Sequence, residues 1–325
     1  MGKLHPTNIQ WCTHTVNPVV AMDRATGKQG WACTKVATGC MHCYAEALNV
    51  GRFGTGHPFD VASESLVEWQ LDEAALQSVL RRQKSATIFW CDMTDLFHER
   101  VPDKWVDQCF AVMALTPHLR HIVLTKRPER MREYVEDMGR HYKAEVDGEY
   151  MERWGDAAVE LTDDPCAAGS PIEDCGWPLP NVAIGTSVAN QEDADRNIPH
   201  LLNTAAALRF VSYEPAIAEV DWGRYLWSSP RPDIDAIIIG GESGSNARPF
   251  DIAWARNTIA QCEEAGVVAM VKQLGSHPGN IDRVAWQGHT GAPRSRRLRD
   301  SHGGDPSEWP EDLRPYAASV EKWPL

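Results

Sequence analysis

Three cysteines stand close together in "CTKVATGCMHCYAE" (33–46), spaced C-x6-C-x2-C, with Tyr44 directly after the last. A disulfide uses two thiols, and a structural zinc site takes four ligands. Three thiolates can hold three irons of a [4Fe–4S] cube and leave the fourth iron open for a further ligand. Cys40 and Cys43 stand at the entry to the helical pattern "CYAEALNVGRF", where helix N-terminal amides favour negative charge. Zinc is the alternative, with His42, Cys12, His14 or His57 as a fourth ligand. Small buried thiols without metal are the plain structural reading. The spacing leaves all three open.

A second set of polar groups recurs where apolar runs end. Asp92, Thr94 and Asp95 follow "ATIFWC"; Lys126 and Arg127 follow "HIVLT"; Thr186 and Ser187 lie in "NVAIGTSV". Glu214 closes "LRFVSYE", Gly240, Gly241 and Glu242 close "AIIIGGE", and Lys272 lies in "VVAMVKQLG". Each has a plain alternative. Strands often end in polar turns, a GGESG loop is weak evidence for a nucleotide, and Lys126 and Arg127 suit salt bridges. The repetition over successive strand ends favours an enzyme, because a (β/α) barrel carries its active site on that face.

The elements that must position these groups follow from the same runs. With "NIQWCTHT" (8–15) added, they are continuous rather than alternating in hydrophobicity, as in parallel strands covered on both faces. Helical patterns at 65–83, 103–116, 129–142, 190–204 and 252–266 alternate with them. The expectation is α/β, a partial or full (β/α) TIM-type barrel of about six to seven parallel strands. An open doubly wound sheet is the runner-up. Residues 1–275 form the barrel, with 33–43 as its cysteine loop, and the acidic, Gly- and Pro-rich stretch 143–180 reads as an insertion. Cys166 and Cys175 within it read as incidental thiols. Residues 276–325 read as a loop-rich extension packing on the barrel.

Composition narrows the setting. No apolar run approaches the roughly 20 residues of a membrane helix, and the N-terminus lacks the apolar segment of a secretory signal. A cytoplasmic protein with no membrane partner is the expectation, and there nine cysteines read as thiols or metal ligands. The net charge of −13 opposes wholesale coating of nucleic acid. Arg294, Arg296, Arg297 and Arg299 make one local basic run, which a solvated loop also explains.

Taken together, "QWCTHTVNPV", the three-cysteine motif, "LTKRPERM", "GTSVANQEDADRNIPHL", "GGESG", "KQLG" and "GGDPSEWPEDLR" resemble the phage-associated three-Cys-motif family of radical-SAM-like proteins. The likeness runs in order from about residue 8 to 314. It implies a [4Fe–4S] cluster on Cys33, Cys40 and Cys43, with S-adenosylmethionine (SAM) on the open iron. An electron donor reduces the cluster, and SAM is cleaved to a 5′-deoxyadenosyl radical. The superfamily spacing is C-x3-C-x2-C, so the six-residue first gap departs from it. In this reading Tyr44, Asp92, Thr94, Asp95, Thr186, Ser187, Gly240, Gly241 and Glu242 face SAM. Lys126, Arg127, Glu214 and Lys272 face a substrate, for which the phage association points to nucleic acid or a nucleotide. Two other classes compete. One is a zinc-stabilised hydrolase or nuclease-like enzyme using Asp92, Asp95, Glu214 or Glu242, and the other is a non-catalytic binding module.

Overall fold

The computed structural model describes residues 3–143, 149–164, 175–226, 233–279 and 298–324. Arg294, Arg296, Arg297 and Cys166 lie outside the described residues.

The chain is a mixed α/β protein with a mostly parallel central sheet. Its strands are β1 (His5–Pro6), β2 (His14–Val16), β6 (Thr87–Trp90), β7 (Arg120–Thr125), β8 (Val182–Val188), β9 (Leu208–Tyr213), β10 (Ala236–Gly240) and β12 (Val268–Gln273), in that spatial order. The pairs β2–β6, β6–β7, β7–β8, β9–β10 and β10–β12 are parallel, and β1 adds antiparallel to β2. From β2 onward the spatial order is the order of the chain. Among the described residues no pairing joins β12 back to β1 or β2, so the sheet is open. Every residue of β6, β8 and β10 is buried, which accounts for their unbroken hydrophobicity.

Two compact units divide the chain. The first comprises Met1–Thr186, Pro199–Arg209 and Leu325. In it β3 (Val19–Asp23) pairs antiparallel with β4 (Gln29–Gly30) and β5 (Val67–Leu71) in a small side sheet. Its helices are α1 (Tyr44–Leu48), α2 (Glu73–Leu80), α3 (Asp103–Ala114), α4 (Pro128–Lys143) and α5 (Glu149–Thr162).

Two expectations are corrected here. The segment 65–83 is not one helix: "VEWQL" alternates as a strand does, and Asp72 then caps α2 by accepting from Ala75 N at 3.2 Å. Of 8–15 only His14 and Thr15 pair in the sheet, in a strand that runs on to Val16. The stretch 143–180 holds α5 in its first half. Trp154, Ala157, Ala158 and Leu161 recur on one helical face and are buried, with Trp154 stacked 5.8 Å from Phe110 of α3. Arg153 reinforces this packing by a bidentate pair with buried Asp107, which also accepts from Tyr134 OH at 2.8 Å.

The second unit comprises Ser187–Ile198 and Phe210–Pro324. It holds most of α6 (Gln191–Leu202), α7 (Gly223–Leu226), α8 (Ile252–Ala265), and β11 (Phe250–Asp251) paired with β13 (Pro278–Gly279). Asp251 caps α8 by accepting from Ala253 N at 2.9 Å, and Gly266 ends it at φ 73°, a conformation glycine adopts without strain. The tail lies along β12: Ala318 N donates to Val271 O and Leu274 N to Gly303 O. Trp309, Leu313 and Trp323 are its buried anchors.

Candidate functional site

In the first unit the cysteine loop is fastened to the C-terminal ends of β6 and β7. Arg127, just after β7, is almost wholly buried and has five N–H donors. Nε–H meets both Glu99 oxygens at 3.1 and 3.0 Å. Nη1 donates to Asp95 Oδ2 at 3.3 Å and to Cys33 Sγ at 3.8 Å. Nη2 donates to the Thr34 carbonyl at 3.0 Å and its hydroxyl at 2.7 Å. Burial works against the Arg127 charge, but Asp95, Cys33 and Glu99 more than restore it.

Asp95 is as fully engaged. It also accepts from Thr125 Oγ1 at 2.7 Å, Phe97 N at 3.0 Å and Lys126 N at 3.0 Å. His98 completes the cluster. Its Nδ1 accepts from Arg100 N at 3.1 Å, which assigns the ring proton to Nε2, 2.9 Å from Thr34 Oγ1. The ring stacks on Trp69 of β5 at 4.6 Å. Burial, then the Arg127 charge, push the His98 pKa down to about 4.

The far end of the loop is held separately. Tyr44 OH donates to the Asp92 carbonyl at 2.6 Å, and Asn17 Nδ2 donates to Asp92 Oδ1 at 2.6 Å. Cys91 between β6 and Asp92 takes φ 57°, turning the chain sharply at the strand end. Burial pushes its thiol up to about 12. The side chains of Cys33 and Cys43 pack against the same apolar cluster of Ala45, Phe59 and Met93. Burial pushes the Cys33 thiol up to about 12, opposed by Arg127. Cys40 is buried at the end of the turn Thr38–Cys40.

As placed, these three thiols do not form a ligand set. Among the described residues, no group of three or more His, Cys, Asp or Glu side chains is arranged to hold a metal ion. Cys40 is buried, and Cys33 and Cys43 are half-buried. The large apolar side chains exposed among the described residues all fall between Val36 and Leu66, with Met41 59% and Phe53 54% exposed.

The second unit holds the remaining expected site residues. Lys272 Nζ pairs with Glu214 Oε1 at 2.5 Å. Gly240 leaves room beside that carboxylate, since a Cβ there would meet the Glu214 side chain at 3.1–3.3 Å. Gly241 is packed under Leu274 O, 2.5 Å from where its Cβ would stand. Both glycines thus have a packing reason. Glu242 is buried and paired with Arg248, whose Nε and Nη2 donate at 3.0 and 2.8 Å. Ser187 is buried there too, and in the first unit the Thr186 hydroxyl donates to Thr125 O at 3.0 Å.

The expectation that Arg127 grips a substrate is revised on this geometry, because all its donors are directed at protein atoms. Asn17, Thr34, His98 and Glu99 went unnoticed in the sequence. Asn17 follows β2 directly, so the strand-end rule that found Asp92 reaches it as well. Thr34 and His98 carry no such signal.

Fold and site together define an α/β protein with a thiol-bearing polar centre at the ends of parallel strands. The chain belongs to the family described as "Protein of unknown function (DUF5131)", which matches residues 6–298. No curated protein and no solved structure matches it. No described helix is long and apolar enough to cross a membrane.

Proposed function

We propose that this chain is a radical-SAM-like enzyme. Cys33, Cys40 and Cys43 take up a [4Fe–4S] cluster, and SAM is cleaved reductively beside it. The substrate class is nucleic acid or a nucleotide, on the sequence likeness to phage-associated proteins. The observation that carries the reading is the fastening of the cysteine loop to strand ends: Arg127 holds Cys33 and Thr34 at β7, and Tyr44 holds the other end at β6. The run of parallel strands in chain order also supports the partial (β/α) barrel that the likeness implies. Since the three thiols do not form a ligand set as placed, the cysteine loop has to rearrange when the cluster is loaded.

The hydrolase alternative finds less support. In the first unit Asp95 is held by Arg127 and Thr125, and Asp92 by Asn17. In the second, Glu214 is paired with Lys272 and Glu242 with Arg248. Asp95 and Glu242 are engaged on both carboxylate oxygens, and Asp92 and Glu214 on one each.

The test is anaerobic reconstitution with iron and sulfide. Brown protein with about four irons per chain, the content of a [4Fe–4S] cube, is expected. It should release 5′-deoxyadenosine from SAM on reduction, and the cysteine variants should not. Colourless protein carrying one tight zinc ion overturns the reading.

A further inference from the structure

A groove distinct from the cysteine loop lies in the first unit, where β5 meets α2, α3 and α5. Its volume is about 380 Å³, within the ~300–1,000 Å³ typical of small-molecule sites. Two tryptophans supply its aromatic surface, Trp69 of β5 and Trp105 of α3, both half-buried. Five polar side chains line the rest: Gln70, Glu73, Lys104, Gln108 and Glu160.

These polar groups are held in place and only partly used. Glu160 receives Lys104 Nζ at 3.0 Å on one oxygen and Gln108 Nε2 at 3.3 Å on the other. Gln108 is 2% exposed, and among the described residues its amide oxygen has no donor. The indole N–H of Trp69 is buried without a hydrogen-bond partner, an uncommon state for that group. Glu73, in the first turn of α2, is exposed.

The lining narrows the class of ligand. Two carboxylates against one ammonium leave the groove net negative, which opposes a phosphate or any other anion. A cation would seek open aromatic faces, and the Trp69 ring is already stacked on His98 at 4.6 Å. A nucleobase carries its polar groups in one plane, whereas here they come from a strand and three helices. A sugar ring matches better. It lays an apolar C–H face on an indole and directs hydroxyls, each both donor and acceptor, to several sides.

We propose that this groove binds a neutral saccharide. A pyranose ring lies on Trp105, and its hydroxyls donate to Gln108 Oε1 and to the carboxylates of Glu73 and Glu160. The site goes beyond the radical reading and stands apart from it, because no lining residue belongs to the cysteine loop.

Saturation-transfer NMR of the full-length chain with the methyl glycosides of glucose, galactose and mannose tests this. Titration calorimetry then follows the best of them and its di- and trisaccharides. At least one glycoside should bind with a Kd of about a millimolar or tighter. Its affinity should not change with salt, as that of an ionic ligand must, and its 6-phosphate should bind more weakly. Trp105→Ala and Gln108→Leu should each weaken binding about tenfold. Glu73→Gln alters only an exposed side chain, so it tests the site without disturbing packing, and should weaken binding several-fold. No binding by any of the glycosides overturns the proposal. So does binding that Trp105→Ala leaves untouched, or a groove that takes tetramethylammonium or adenosine in preference to the glycosides.

Discussion

Arg127 Nη2 bonds both oxygens of Thr34, the carbonyl at 3.0 Å and the hydroxyl at 2.7 Å, so the residue beside Cys33 is bolted to the end of β7. The same guanidinium is the cation for buried Asp95. A planar fork that serves two such partners is not replaceable by a point charge.

Removing that cation therefore strands a buried carboxylate. Arg127→Met should destabilise the chain by about 3–5 kcal/mol, the cost of breaking a buried pair from one side. Arg127→Lys should fall between this variant and the wild type, because it restores charge but not the fork. Urea denaturation measures both, and a Lys variant as stable as the wild type would show that the fork geometry contributes nothing.

His98 gives the fold a pH dependence of defined sign. A second proton must go on Nδ1, which already faces the Arg100 N–H. The charged groups about the ring are Arg127, Glu99, Asp95 and Glu64; the carboxylates pull its pKa up, but burial and Arg127 win and hold it at about 4 against 6.5. Below pH 6.5 the unfolded chain binds a proton that the folded chain refuses until about pH 4. Stability therefore falls as pH drops through that window, by on the order of 3 kcal/mol. His98→Gln, which cannot titrate, should flatten the slope of unfolding free energy between those limits. An unchanged slope would assign the effect to other groups.

How legible was this in the sequence? Continuous apolar runs gave the starts of β6 to β10 and β12 to within a residue, because strands covered on both faces are largely apolar. The strand-end rule reached Asp92, Asp95 and Arg127. It failed on what those residues do, since charge alone does not reveal that Arg127 spends its donors on Thr34, Cys33, Asp95 and Glu99. His98 lies in a turn and meets Thr34 across 64 positions of chain, a contact no local pattern carries. The segment 65–83 misled because its alternating first half and helical second half share one apolar density. Only the period separates them, and Asp72 marks the change.

Tyr44 is half exposed, yet its hydroxyl is the tie between α1 and the turn after β6. Tyr44→Phe keeps the ring and loses one hydrogen bond worth about 1 kcal/mol. The loss should appear locally. Amides of α1 should exchange with solvent about fivefold faster, while those of β6, β7 and β8 keep wild-type rates. Uniform acceleration over the whole chain would mean that the bond supports the fold rather than the loop.

Gly240 and Gly241 are neighbours with different reasons to lack a side chain, and alanine should tell them apart. At Gly240 the new methyl meets the Glu214 side chain at 3.1–3.3 Å. That carboxylate can yield by a few tenths of an ångström at the expense of its contact with Lys272. At Gly241 the methyl would stand 2.5 Å from Leu274 O and 2.9 Å from Phe250 Cβ. Leu274 is held in turn by its N–H bond to Gly303 O, so the backbone there cannot retreat without pulling the tail from β12. Gly240→Ala should cost about 1 kcal/mol and Gly241→Ala about 3 kcal/mol or more, the range of overpacking in a filled interior. Thermal unfolding gives the order. A Gly241→Ala chain as stable as Gly240→Ala would show that the tail yields freely, and the glycine pair would then need a reason other than packing.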